Sequence, residues 1–437
     1  MLKLVLLCLA MTGGPVKTPN QPPQLKNVTC SLNPGNHTVE VRYDLSDPEK
    51  DSVRITVQLY DARNRISLAG AIRVQGDAGF PVAPGKNRKL YVQYPDSVRD
   101  IEAFTVKIIA QDYYTPVVGR LVAQVDTAHL RRHLEKIAGK RNDAADRQHL
   151  EEVKAYVQQH FRACNLRTEQ QAFTRTSYMA HNIIGTRAGA RHDQVIVLGA
   201  HMDAVPGSPG ADDNASGVAG MLEVARILSA QEFEWGIGFV GFDLEEQGLL
   251  GSKAFVQAGP SVGKVKAYFN FDMIAYARHQ PNSQHVPQGI DQLFPEAYAK
   301  LKANGFRGDF AFCFSNDASD SLRLRFEQYA ARYVPALKVI SLKVPDDGKI
   351  APALFRGSDQ ASFWDAGYPA LSLGDTGEAR NKAYHSSHDT LSTIDMQYMA
   401  WMVKATLATI AGMAVLSHHT HAELPLLPDT RRVEANK

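Results

Sequence analysis

The chain has 437 residues, of which 44% are hydrophobic and 22% are charged, a composition typical of a globular protein and not of a disordered one. At about 100–200 residues per domain, this length predicts two to four domains. The formal net charge of +2 gives no reason to expect nucleic acid as a partner, and four scattered cysteines exclude a disulfide scaffold or a Cys-based zinc site.

The chain begins with a short apolar segment, Leu4 to Met11. It is shorter than the roughly 18 residues of a membrane-spanning helix, but it is typical of the core of a signal peptide with small residues near a cleavage site. We therefore predict a signal peptide over residues 1–14, no membrane span, and a secreted or periplasmic protein. A cytosolic start, or a lipid anchor at Cys8, is the alternative. Export would permit a disulfide between Cys164 and Cys313, which the sequence does not decide.

A Pro- and Gln-rich linker at 15–24 precedes a region with the pattern of β-structure, residues 25–125. Apolar and polar residues alternate over Thr38–Tyr43 and Val53–Leu59, and turn-forming clusters separate such segments. This spacing predicts a small all-β sandwich of immunoglobulin or fibronectin-III kind. The region has no cluster with metal-ligand spacing, so we expect a spacer or adhesion module, with contact to a surface or a glycan as one possible role.

From residue 126 the apolar period changes to that of helices, and strands and helices then alternate. The apolar runs at 194–200, 235–243 and 266–272 predict buried parallel strands. The alternation predicts an α/β domain over 126–418, with a mostly parallel sheet and helices on both faces. We expect residues 419–437 to form a flexible tail.

Acidic and imidazole side chains follow the predicted strands where these end. They are His201, Asp203, the pair Asp212–Asp213, the pair Glu245–Glu246, Asp272 and His385. Because the carboxyl ends of parallel strands meet at one edge of a sheet, we expect these side chains to converge. Carboxylates brought together in this way repel one another, and a bound divalent metal removes that conflict. Histidine with aspartate and glutamate is a ligand set that suits zinc.

Each of these residues also has an ordinary structural interpretation. The Asp212–Asp213 pair could cap the following helix, the Glu245–Glu246 pair could be solvated, and a lone His201 could be a core or surface histidine. His388 competes with His385 because both lie in the same loop. The joint placement after successive strands favours a metal centre over these separate alternatives.

Four segments resemble the co-catalytic zinc aminopeptidases of peptidase family M28. They are GAHMDAVPGSPGADDNASG, FDLEEQGLLGS, NFDM and YHSSHDTLSTID, in the order and spacing of that family. The resemblance implies a metallo-aminopeptidase that uses two zinc ions to hydrolyse the N-terminal residue from peptides with a free N-terminus.

The resemblance also implies which residues bind the metal ions: His201, Asp213, Glu246, Asp272 and His385. His201 and Asp272 would bind one zinc, Glu246 and His385 would bind the other, and Asp213 would bridge the two.

Further roles are implied for residues around the ligands. Glu245 would be the general base acting on a water between the metals, Asp203 the carboxylate partner of His201, and Tyr384 an oxyanion donor, as in some family members. His385 and not His388 fits the family's H-x-x-x-D-T arrangement. Gln360 stands where many relatives have histidine, which leaves the details of the pocket open.

Other activities use similar ligands. A carboxypeptidase or a dipeptidase shares the ligand set, and a glutaminyl-cyclase-like enzyme shares the fold, although the loop at 213–217 resembles the hydrolase version. A binding ectodomain with an inactive peptidase fold is disfavoured because every expected ligand and the base are present. The sequence predicts neither the preferred N-terminal residue nor the oligomeric state.

Overall fold

The computed structural model describes residues 23–48, 50, 53–61, 72–96, 98, 101, 104–112, 115–259, 263–414 and 419–426. The predicted signal peptide and most of the predicted linker lie outside these residues. The chain divides into two compact units, one comprising residues up to Pro116 together with those from His418 onward, and the other comprising Val117–Ser417.

Sixteen strands and eleven α-helices are described. The strands are β1 (Gln24–Asn33), β2 (Thr38–Ser46), β3 (Val53–Asp61), β4 (Arg73–Gly76), β5 (Gly79–Val82), β6 (Gly85–Gln93), β7 (Phe104–Asp112), β8 (Arg167–Arg175), β9 (Tyr178–Arg187), β10 (Arg191–His201), β11 (Trp235–Phe242), β12 (Lys264–Phe271), β13 (Phe310–Ser315), β14 (Lys338–Lys343), β15 (Ala370–Gly374) and β16 (His419–Pro425). The helices are α1 (Thr115–Ala123), α2 (Thr127–Ile137), α3 (Arg147–Ala163), α4 (Gly217–Leu228), α5 (Leu250–Ala258), α6 (Ile290–Leu293), α7 (Pro295–Ala303), α8 (Asp320–Tyr333), α9 (Pro352–Phe355), α10 (Gln360–Asp365) and α11 (Met396–Ala414).

The first unit consists of two four-stranded antiparallel sheets, in the orders β1-β2-β6-β4 and β16-β7-β3-β5. Alternate side chains of β2, such as Val39 and Val41, join Ile55 of β3 and Ile108 of β7 in one buried apolar core. The period-2 pattern therefore buries one face of each strand, as a sandwich requires. The all-β expectation for this part of the chain is confirmed.

Two expectations at the edges of this unit were wrong. The β-structure ends at Asp112 and not at 125, because Thr115–Ala123 is helical. Residues 419–425, expected within a flexible tail, form β16 and pair antiparallel with β7. Ala422 and Leu424 of this strand are buried in the core of the sandwich, so apolar burial offsets the entropy lost on ordering the segment.

The second unit is built on an eight-stranded sheet of order β14-β13-β15-β12-β10-β11-β9-β8. The four central strands, β15, β12, β10 and β11, are parallel, while the β8-β9 hairpin and the β13-β14 pair run against their neighbours. The predicted α/β class is confirmed, and the sheet is mixed. Consecutive residues of β10, Val195 to Leu198, are all fully buried, which shows that both faces of the sheet are covered.

The parallel register of the central strands positions the candidate site. His201 at the end of β10 pairs with Phe242 of β11, and Gly199 pairs with Asn270 of β12. The residues that follow these strands, including Asp272, therefore leave the sheet at the same edge.

Two further sequence expectations concern the thiols and the membrane. Cys30, Cys164 and Cys313 are free thiols, so the Cys164–Cys313 disulfide considered above is not formed. None of the helices in the described part of the chain combines the length and apolar character needed to cross a bilayer.

Candidate metal centre

The five predicted metal ligands lie together at the carboxyl ends of the central strands. The Nε2 atom of His201 is 3.3 Å from Oδ1 of Asp213 and 3.6 Å from Oδ1 of Asp272. The Nε2 atom of His385 is 3.1 Å from Oδ2 of Asp213 and 3.4 Å from Oε2 of Glu246. The two oxygens of Asp213 thus face different histidines, as a bridging carboxylate would.

Two overlapping groups of donor atoms have the spacing of a metal site. One comprises His201, Asp213 and Glu246, and the other comprises His201, Glu245 and Asp272, with the donor atoms of each group within 4.8 Å of one another. A cation placed among them would be surrounded by imidazole nitrogen and carboxylate oxygen, which are ordinary ligands of zinc.

The electrostatics of this cluster also fit a bound cation. Burial opposes a positive charge on His385, yet its contacts with Asp213 and Glu246 outweigh burial and raise its pKa to about 10. Glu246 Oε1 is buried and has no hydrogen-bond partner among the described residues. The carboxylates of Asp213 and Glu246 thus favour a positive charge at His385, and a metal ion would supply such a charge. The unpaired Oε1 of Glu246 is free to act as a ligand atom.

Asp203 lies behind the first ligand and contacts the segment that carries the glutamates. Its Oδ1 is 3.5 Å from Nδ1 of His201, and its carboxylate accepts the backbone N–H groups of Glu245 at 3.0 Å and Glu246 at 3.2 Å. The hydrogen-bond partner of His201 Nδ1 is the main-chain carbonyl oxygen of Asp203 at 3.2 Å, and an acceptor at Nδ1 favours the tautomer whose Nε2 is free to bind a metal. Asp203 therefore orients His201 and holds the two glutamates in place.

Asp389, which belongs to the H-x-x-x-D-T arrangement, holds the loop that carries Asp213. Its carboxylate accepts the backbone N–H groups of Asp212 at 2.9 Å and Asp213 at 3.0 Å. Burial raises the pKa of Asp389 to about 6, while these two hydrogen bonds oppose that shift. In the sequence, Asp389 serves only to distinguish His385 from His388, and its position in the motif was the available signal for a role of its own.

Asn214 connects the same loop to the end of β12. Its side chain donates to the carbonyl of Phe271 at 2.8 Å and accepts the N–H of Met273 at 3.2 Å, so it binds the residues on either side of Asp272. The peptide bond between Asp213 and Asn214 is cis. The side-chain hydrogen bonds of Asn214 thus set the spacing between Asp213 and Asp272.

Asp212 has a different environment from its neighbour Asp213. It is fully buried and accepts hydrogen bonds from the N–H of Ala275 and from the side chain of Asn381, both at 3.1 Å. Burial, with the carboxylates of Asp375 and Asp389 nearby, raises the pKa of Asp212 well above its usual range. Asp212 therefore has a structural role and does not join the ligands.

Glu245 is buried beside the ligands, with Oε2 4.0 Å from Nε2 of His201. Burial raises the pKa of Glu245 well above its usual range, and the nearby Asp359 and Asp272 carboxylates add to the shift while His201 opposes it. A carboxyl group with a raised pKa is suited to exchanging protons with a reacting group.

Tyr384 and the competing histidine lie on the loop before α11. The Tyr384 ring stacks on the His385 imidazole with 3.7 Å between ring centroids, and burial raises the pKa of its hydroxyl, which keeps it a donor. His388 is exposed, and its backbone N–H bonds to Ser386. The structure thus brings His385, and not His388, to the other candidate ligands.

A cavity of about 1100 Å³ opens beside the ligands and is lined by them together with Glu245 and Tyr384. Away from the ligands its lining is mainly apolar and includes Ile290, Leu301, Phe310, Phe314, Leu342 and Phe355. The cluster therefore faces a space large enough for an organic substrate.

Known proteins are similar to this chain in sequence and in fold. The family profile described as Peptidase family M28 matches residues 182–410, more than half of the chain. The uncharacterized protein YfbL of Escherichia coli (strain K12) is 30% identical over 267 residues, covering 58% of this chain and 78% of that protein. Leucine aminopeptidase 2 of Trichophyton rubrum is 28% identical over 255 residues, which cover 53% of this chain and 44% of that protein.

The chain thus spans about half the length of the curated aminopeptidase. Among solved structures, LapB from Legionella pneumophila superposes with a TM-score of 0.54 at 22% identity, covering 69% of this chain and 76% of that chain, which shows a shared fold. Together with the family match, these similarities establish that the chain belongs to peptidase family M28.

Proposed function

We propose that the protein is an aminopeptidase that removes the N-terminal residue from peptides with a free amino group, using two zinc ions. The observation that carries this proposal is the convergence of His201, Asp213, Glu246, Asp272 and His385 beside a substrate-sized cavity. The curated relatives that are named leucine aminopeptidases support the direction of cleavage.

The two-ion arrangement is supported by the positions of the ligands. His201 and Asp272 form one half of the site, His385 and Glu246 form the other, and Asp213 presents one oxygen to each half. When bound, the zinc ions would polarise the scissile carbonyl and lower the pKa of the attacking water.

The proton transfers are assigned to Glu245. Its carboxylate would accept the proton of the attacking water and then return it to the leaving amine, a contribution typically of about 10²–10⁴-fold. The Tyr384 hydroxyl, kept protonated by burial, would donate to the developing oxyanion. Carboxylates at the edge of the cavity would attract the free α-amino group, which explains attack at the chain end.

The cavity lining indicates which N-terminal residues would bind. Phe310 and Phe314 of β13, Leu342 of β14 and Leu301 of α7 offer apolar surface, and a large apolar side chain would bury most of its area there. A charged side chain would lose its hydration without gaining a partner from these residues. The proposed preference is therefore for large apolar N-terminal residues.

A panel of aminoacyl-anilides tests this proposal. We expect Leu and Phe derivatives to be cleaved faster than Ala, Asp or Lys derivatives, with activity lost to a chelator and restored by zinc. Cleavage of peptides only from the carboxyl end would favour a carboxypeptidase. Cyclisation of N-terminal glutamine without peptide hydrolysis would favour a glutaminyl-cyclase-like enzyme.

A further inference from the structure

Arg141 is a buried cation close to the metal centre, in the segment between α2 and α3. It lies outside the four motifs and before the region matched by the family profile. Its side chain is fully buried, so the charge is placed where an arginine is seldom found without specific partners.

All five N–H donors of this guanidinium are accepted by main-chain carbonyl oxygens. Nε donates to Met202 at 2.8 Å, Nη1 donates to Gly139 at 3.0 Å and Pro209 at 2.7 Å, and Nη2 donates to Gly210 at 2.8 Å and Asp213 at 3.5 Å. Five is the full donor capacity of arginine, and its planar fork fixes the relative positions of the acceptors.

Four of these acceptors belong to one loop, residues 202–213, which joins the ligand His201 to the bridging ligand Asp213. The backbone of Arg141 adds to this attachment, because its carbonyl accepts the N–H of Ala204 at 2.9 Å. The loop that determines the spacing of two metal ligands is thus bound along its length to one arginine.

The loop approaches the guanidinium closely at Gly210. The backbone there has φ +55°, and a Cβ would lie 3.0 Å from Nη1 of Arg141 and 2.2 Å from the carbonyl oxygen of Asp213. Glycine is therefore required for this contact. Burial lowers the pKa of Arg141, and the carboxylates of Asp213 and Asp203 oppose that shift, so the acidic cluster compensates the buried charge.

We propose that Arg141 is a positioning residue of the metal centre, whose planar fork holds the 202–213 loop in the shape that lets His201 and Asp213 bind a common metal ion. Loss of the fork would free the carbonyls of Met202 and Asp213 and widen the range of distances between the two ligands. The metal would then have to order the loop on binding, and its affinity would fall.

Zinc titration of the full-length protein against a competing chelator tests this role without a peptide substrate. Arg141→Lys keeps the charge and loses the fork, and Arg141→Gln loses both. We expect zinc affinity to fall roughly 10–100-fold in both variants, as for other residues that orient metal ligands. Arg226→Lys is the matched control, because its fork binds Glu223 and the carbonyl of Gln124, and its zinc affinity should stay unchanged.

The zinc affinity and the folding of the two variants decide the role of Arg141. If Arg141→Lys binds zinc with wild-type affinity, then the positive charge of residue 141, and not its planar fork, determines the affinity of the site for zinc. Variants that fail to fold without metal but fold with zinc would support the proposal, whereas variants that zinc does not rescue would reduce Arg141 to a general structural residue. The inference rests on the proposed ligands, so wild-type binding is measured first, and a wild type that binds no zinc would instead refute the ligand assignment.

Discussion

Glu245 and Glu246 are neighbours in sequence with different surroundings. Glu246 lies 3.4 Å from His385, whereas Glu245 lies 4.0 Å from His201, and both glutamates line the cavity. Both backbone N–H groups bond to Asp203, which fixes the turn and directs the two carboxylates to different positions. The geometry thus allows one residue to bind metal and the other to move protons.

Replacing the base tests that division of roles. We expect Glu245→Gln to lower kcat at least about 10²-fold, because an amide cannot accept the proton of the attacking water. Zinc content should remain that of the wild type. Glu232 is exposed and lies before β11, so Glu232→Gln is the control for the loss of one carboxylate. A Glu245→Gln protein that loses its zinc would show that Glu245 is a ligand.

At the scale of elements, α7 presents one alanine to the cavity and another to solvent. Ala297 lines the cavity, while Ala299 is exposed. We expect Ala297→Leu to lower kcat/KM for Phe-anilide about tenfold or more relative to Ala-anilide, because added methyl groups occupy the space for the large side chain. Ala299→Leu should leave this ratio unchanged. Equal effects on both substrates in Ala297→Leu would argue against this wall as the specificity pocket.

The packing of α2 against α3 predicts a dependence of stability on pH. Burial, with His160 nearby, lowers the pKa of His133 to about 3, and its Nδ1 lies 2.7 Å from the Tyr156 hydroxyl. In the unfolded chain the pKa of His133 is about 6.5. Between pH 6.5 and pH 3 the unfolded state therefore binds a proton at His133 that the folded state does not bind, and the free energy of unfolding decreases as the pH falls through this range.

Urea unfolding at pH 7 and pH 5 measures this effect. The free energy of unfolding of the wild type should fall by about 2 kcal/mol more than that of His133→Gln between these two pH values. His149→Gln is the control, because this histidine is partly exposed. An equal pH dependence in wild type and His133→Gln would show that His133 is protonated in the folded protein.

At the scale of the whole molecule, the first unit combines strands from two distant parts of the described chain, β1–β7 and β16. Leu424 of β16 and Leu426 after it are buried in the sandwich core, and β16 covers the edge of β7. Ending the chain after residue 417 should therefore lower the melting temperature of this unit and promote association through the uncovered edge.

Ending the chain after residue 426 keeps β16 and is the matched comparison, so a melting temperature that is lower only in the shorter form is due to this strand. Thermal unfolding with light scattering distinguishes the two forms. If both truncated proteins melt as the full chain does without associating, β16 is not required for the sandwich.

The sequence predicted the parts of the fold and site that depend on local pattern. His201 and Asp272 end apolar runs that indicated buried parallel strands, so their convergence was expected from sheet geometry. The β16 strand was missed because Pro425 and Pro428 suggested a loose tail, although Ala422, Leu424 and Leu426 alternate.

Arg141 could not have been found from the sequence. Its acceptors are main-chain carbonyls of a distant loop, Met202 to Asp213, and such carbonyls leave no trace in residue identity. Asp389 was visible as part of a motif, but its partners are backbone N–H groups, and only the fold shows them. The observed site therefore differs from the predicted one mainly in its contacts to the backbone and less in its contacts between side chains.

The proposed aminopeptidase differs from other peptidases in requiring a substrate with a free amino terminus. The most direct test compares kcat/KM for Leu-anilide and N-acetyl-Leu-anilide on the zinc-loaded protein. We predict cleavage of the free amine and at least a hundredfold weaker cleavage of the acetylated form, with both rates abolished by a chelator. Equal cleavage of the two substrates, or cleavage of the acetylated one alone, would contradict the proposed aminopeptidase activity.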